Sequence, residues 1–138
     1  MAQTGKRYNK GKRKWSLVDF KALEPMCEVL EYGAHKYSIF ENPDTGKQYT
    51  GLEISEEDVM KFGYKLISSG ADNWKNGLPV VDMTESLLRH AFAMLRGEVN
   101  DPESGKSHIG HLMCNAMFIT WTMENKPEFN NINHKHKK

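Results

Sequence analysis

A chain of 138 residues is long enough for one domain with one core and too short for two. With 38% hydrophobic and 27% charged residues it has the balance of a folded globular protein, and a net charge of +1 excludes a global field that would recruit nucleic acid or a membrane surface. No apolar run reaches the length of a spanning helix and no apolar stretch follows the basic N-terminus, so no membrane segment and no signal peptide are expected.

Residues 1–16 are basic and glycine-containing, without periodicity, and read as a flexible segment. The first helix is predicted from about Asp19 to Tyr37, with Leu23, Met26, Leu30, Gly33 and Tyr37 on one face. Pro25 places the start of its continuous part near residue 25. "ENPDTGKQYTG" is a loop. "SEEDVMKFGYKLIS" predicts a second helix, with Ser55 and Asp58 at its start and Val59, Phe62, Leu66 and Ile67 as its apolar stripe. A third helix is predicted from about Met83 to Arg96, capped by Asp82 and Glu85 and stopped at Gly97. A fourth, apolar almost all round and therefore central, runs from about Ser107 to Met123. Residues 125–138 read as a flexible tail in which His134 and His136 are solvated. No alternating strand stands out, so the expected fold is all-α, a bundle of four main helices. Cys27 and Cys114 fall inside apolar helical patterns and read as buried free thiols in a reducing cytoplasm.

The chemistry concentrates in Leu87–Asn115. His108, His111 and Asn115 fall three and four apart on one side of the fourth helix. His90 sits at the rim of the third helix, and Glu98 and Asp101 follow in a short connection that makes the two helices antiparallel neighbours. Carboxylates and imidazoles gathered in this way suit a divalent cation, Mg²⁺ or Mn²⁺, held by His90, Glu98, Asp101, His108 and His111. Such an ion polarises a phosphoryl oxygen and activates water. Lys36 and Arg89 can reach phosphates, Tyr37 and Trp74 are candidate stacking rings for a base, and Asn73 can read a base edge. Each of these also has an ordinary structural reading, as a cap, a core ring or a solvated charge. Glu28 and Glu31 form an E-x-x-E pair that, with Glu98-x-x-Asp101, imitates the acidic signature of MazG-type pyrophosphatases, and equally fit an exposed helix face.

"EYGAHKY", "DNWKNGLP" and "LLRHAFAMLRGEVNDPESGKSHIGHLMCNAMF" together resemble the phage dATP/dGTP diphosphohydrolase family, over roughly residues 17–122. The resemblance implies a MazG-like nucleotide pyrophosphatase that cleaves a (deoxy)nucleoside triphosphate, of the dGTP or dATP type, to monophosphate and pyrophosphate with Mg²⁺ or Mn²⁺. It carries over Gly33, Lys36, Tyr37, Asn73, Trp74, Gly77, Arg89, His90, Gly97, Glu98, Asp101, Ser104, Gly105, His108, His111 and Asn115. Glu98, Asp101, His90 and His111 are then the catalytic candidates, and Lys36, Tyr37, Asn73, Trp74, Arg89 and Asn115 the substrate-binding ones. Residues 38–72 separate two stretches that the family joins closely, so they read as an insertion within a single domain, 17–124. A homo-oligomer is expected, working in a host cytoplasm if the chain is phage-encoded. Two rival readings remain: a protein that sequesters a nucleotide without cleaving it, and a module that docks on a host protein through its second helix.

Overall fold

The computed structural model describes residues 5–132. His134 and His136, read above as solvated, lie outside the described residues. Residues 5–20 run over the surface, every one exposed, with a single 3-10 turn at Trp15–Leu17. Asp19 then organises the entry to the first helix. Its Oδ1 accepts from the backbone N–H groups of Lys21 and Ala22, opening a 3-10 turn at Lys21–Leu23 that leads into α1, Glu24–Lys36. Pro25 sits in the first turn of α1, where its missing N–H would have had no helical partner.

The all-α expectation is overturned between α1 and Asn73. Three short strands, β1 (Ile39–Glu41), β2 (Gln48–Thr50) and β3 (Lys65–Ser68), form an antiparallel sheet in the order β2-β1-β3. Phe40 pairs with Tyr49 on one side and Leu66 on the other. Among the described residues the fold is therefore mixed, with four α-helices and a three-stranded sheet. Strands of three and four residues are too short for a period of two to show in sequence, and the central one is defined by partners on both sides rather than by its own pattern. The hairpin between β1 and β2 closes on Asn42, whose side chain accepts from the backbone of Asp44 and Thr45.

The second predicted helix is cut in half. Ser55 caps α2, Glu56–Phe62, by accepting from Asp58 N, as its spacing predicts. Gly63 then adopts φ 66°, a left-handed conformation that glycine takes without strain, and ends the helix. The remaining residues become β3, and Leu66 and Ile67, read as part of a helical stripe, lie exposed on it.

Helix α3, Val80–Leu95, starts before the predicted Asp82 cap. Pro79 precedes it, and the cap comes from far along the chain: Asn131 Oδ1 accepts from Val81 N at 3.0 Å. The predicted free tail is thus tied down as far as the described residues extend, with Lys126 Nζ on Asn76 O and a 3-10 turn at Pro127–Phe129. Helix α4, His108–Asn125, is capped by Ser107, which accepts from Gly110 N. It packs against both α1 and α3, as its apolar circumference predicts. Gly110 lies directly against the Pro25 carbonyl of α1, and a Cβ there would overlap it. The core consists of Val29, Phe40, Ile54, Val80, Met83, Ala93 and Cys114. Cys27, expected to be buried, is exposed; Cys114 is buried, and burial pushes its thiol up to about 12.

Candidate active site

The helices α1, α3 and α4, with the 97–107 connection and residues 70–78, line an open cavity of about 600 Å³. Every site residue predicted from the sequence lines it: Lys36, Tyr37, Asn73, Trp74, Arg89, His90, Glu98, Asp101, His108, His111 and Asn115. The architecture explains the convergence. On α3, Ser86, Arg89, His90, Ala93 and Arg96 recur at three- and four-residue spacing and face the cavity, and on α4 His108, His111, Asn115 and Phe118 do the same. Arg96, not among the expected residues, is a third cation beside Lys36 and Arg89. Its signal was present in the sequence, seven positions after Arg89 on the same helical stripe.

One end of the cavity is a web of short polar contacts. His108 is 4% exposed, and both of its ring nitrogens are engaged: Nε2 with Glu98 Oε1 at 2.6 Å, and Nδ1 with His90 Nδ1 at 2.8 Å. His111 Nε2 meets Ser104 Oγ at 2.6 Å. Ser104 donates its single hydroxyl proton to Asp101 Oδ2 at 3.2 Å and accepts from Lys106 N at 3.1 Å. The His111 contact is therefore an N–H from the ring to the hydroxyl. The His90 and His111 rings lie parallel, 4.6 Å between centroids. Ser104 was carried over from the family pattern without a role; the structure makes it the hub between Asp101 and His111.

Burial favours the neutral form of His90 and His111. Burial lowers the pKa of His90, with further lowering from His111 and His108; Asp101 opposes but does not prevail. Burial likewise lowers His111, against Asp101. Burial would raise Asp101, but hydrogen bonds from the Ser104 hydroxyl and the backbone of Glu103, with His111 nearby, bring it below its ordinary value.

The expected cation does not find its five ligands arranged around it. Both nitrogens of His108 are committed to neighbours, and among the described residues no three His, Cys, Asp or Glu side chains converge on one point. Nor do Glu28 and Glu31 join Glu98 and Asp101. They lie exposed on α1, beside a separate small depression with His35 and Glu56, so the four carboxylates of a MazG-type site are not brought together.

At the other end Tyr37 is 51% exposed, with Lys36 Nζ 5.3 Å from its ring centre. Trp74 is a wall residue, not an open platform. It stacks on Phe118 at 4.5 Å and meets Trp121 edge-on at 5.2 Å. Asn115 Nδ2 donates to Ser86 Oγ and to the His111 carbonyl. Lys36, itself partly buried, also reaches the exposed Glu103 at 3.7 Å, a long pair of small energetic weight.

The cavity thus gathers three cations, two tyrosines and a histidine–carboxylate web, a lining whose charge is chemically suited to phosphate groups. The model of the family described as dATP/dGTP diphosphohydrolase, N-terminal, matches residues 2–132, and the chain belongs to that family. It is 25% identical over 124 residues to a dATP/dGTP diphosphohydrolase of Salmonella phage PMBT28. That match takes in 90% of this chain and 31% of the relative, so the chain spans about a third of the relative's length. No solved structure matches it. Among the described residues no helix is long and apolar enough to cross a membrane.

Proposed function

We propose that the protein hydrolyses (deoxy)purine nucleoside triphosphates to monophosphate and pyrophosphate in a phage nucleotide pool. The observation that carries this reading is the polarity of the cavity. Lys36, Arg89 and Arg96 supply positive charge, and neutral half-buried imidazoles at His90 and His111 stand beside it as proton acceptors. Its volume of about 600 Å³ accommodates one nucleotide. In phosphoryl transfer the protein's task is mostly positioning and charge stabilisation, and three cations on rigid helices meet it. Tyr37 stacks on the base, Asn73 and the Asn115 Oδ1 read its edge, and Trp74 with Phe118 shapes the wall behind them. Mg²⁺ or Mn²⁺ enters as the triphosphate's own counter-ion, as part of the substrate and not on a prebuilt set of protein ligands.

The protomers work as a homo-oligomer. Leu88, Phe92 and Leu95 form one stripe of α3 turned away from the cavity, 44%, 52% and 84% exposed. Such a stripe on a helix seeks a partner, and light scattering on a Phe92→Glu variant checks this by a fall in mass.

The function is tested by incubating the protein with each (d)NTP and Mg²⁺ or Mn²⁺ and resolving the products by ion exchange. Monophosphate and pyrophosphate, abolished by chelator, are expected. Intact nucleotide recovered in stoichiometric complex from every incubation would replace hydrolysis by sequestration.

A further inference from the structure

We propose that Glu98, His108 and His90 form a hydrogen-bonded chain that locks the His90 proton on Nδ1 and presents the lone pair of Nε2 to the cavity, making His90 the general base for the attacking water. The base role rests on the hydrolase reading; the lock does not.

The argument counts protons. A carboxylate only accepts, so the 2.6 Å contact between Glu98 Oε1 and His108 Nε2 places the His108 proton on Nε2. When the His108 ring carries a single proton, that proton is on Nε2 and its Nδ1 is bare. The 2.8 Å contact between the two Nδ1 atoms still needs a donor, and only His90 is left to supply it. His90 thus carries its proton on Nδ1, and its Nε2 is a lone pair. Among the described residues nothing hydrogen-bonds to that Nε2, and it is not a buried unpartnered atom, so it is open to a ligand or water in the cavity.

Burial of His108 keeps solvent from competing with the chain. The groups that face His90 are His108 and His111 from α4, Asp101 from the 97–107 connection and Arg89 from its own helix. The parallel His111 ring cannot become charged at the same time without repulsion, so a single base serves each turnover.

In the step, His90 Nε2 takes one proton from water as the water oxygen bonds to the α-phosphorus. The bond from that phosphorus to its bridging oxygen breaks, and pyrophosphate leaves with the electron pair. The imidazolium then returns its Nε2 proton to solvent or to pyrophosphate. Glu98 and His108 touch no reacting atom. They are positioning residues, and the carboxylate charge reaches His90 through His108.

Long-range proton–nitrogen correlation spectra of the ¹⁵N-labelled full chain at neutral pH read the tautomers directly, with no turnover required. Expected is an Nδ1–H signature for His90 and an Nε2–H signature for His108, assigned with His90→Gln and His108→Phe. Glu98→Ala should release the lock and lower kcat on the order of 100-fold, at the low end of a general base's contribution, with KM within about twofold. Glu98→Gln keeps an accepting oxygen and should retain the tautomer and recover most of that loss. An Nε2–H tautomer at His90 in the unsubstituted protein, or an unchanged kcat in Glu98→Ala, would overturn the proposal. A locked tautomer without hydrolysis of any (d)NTP would overturn the base role together with the hydrolase reading and leave the lock standing.

Discussion

Two stretches of the chain, 97–115 and 38–72, behave in opposite ways. In 97–115 the backbone turns tightly, and polar side chains hold one another: Ser104 by Asp101 and His111, with the Lys106 backbone N–H, and His108 by Glu98 and His90. In 38–72 a sheet of minimal strands leans on the helices through a few contacts, and β3 is exposed along its whole length. Its firmest tie is Ser38, buried, which donates to Ala34 O at 2.6 Å and accepts from Gly70 N at 2.9 Å, while His35 Nε2 meets Ile54 O at 2.7 Å. The first stretch sets chemistry, where a misplaced proton is decisive. The second sets the rim of the cavity, to which it contributes Gly70 and Ala71, and tolerates variation elsewhere.

That contrast can be broken most forcefully at His90. His90→Gln should reduce kcat by about 10²–10⁴-fold, the range of a lost general base, with the thermal transition little changed. Gly110→Val comes next and acts on stability. The added side chain meets the Pro25 carbonyl, forcing α1 from α4 at a cost of about 1–3 kcal/mol, read as a lowered Tm. Ser38→Ala leaves the Gly70 N–H without its partner and should cost about 1–3 kcal/mol, with kcat changed less than in any variant of the 97–115 web.

The pH dependence sharpens the same comparison. His90 and His111 have folded pKa values below 6.5, so between those values and 6.5 the unfolded chain binds protons that the native state does not. Their contribution to stability is complete above 6.5 and is lost as pH falls through that window. Asp101, also lowered, contributes above 3.8 and loses its share as pH falls through its folded value. The acid limb of kcat/KM should accordingly lie below pH 6.5. The smallest effect is expected at Met60→Lys on exposed α2, within about ±0.5 kcal/mol in stability and without change in kcat.

Much of the helical frame was readable from the chain alone, because local chemistry fixes it: Asp19 and Ser107 at helix starts, Pro25 in a first turn, Gly97 at a stop, and an apolar helix in the centre. The candidate residues that line the cavity were legible too, since spacings of three and four put His108, His111 and Asn115 on one side of the fourth helix, and the short connection brings His90 of the third helix next to it. The sequence could not decide what depends on partners distant along the chain. The strands exist because Phe40 finds Tyr49 and Leu66, and α3 begins where Asn131 caps it. Trp74 became a wall because Phe118 and Trp121 reach it first. The same holds for the histidines. Composition makes each a possible ligand, but a ring nitrogen's role is set by what lies within 3 Å of it, and only the packed structure places Glu98 and His90 on either side of His108.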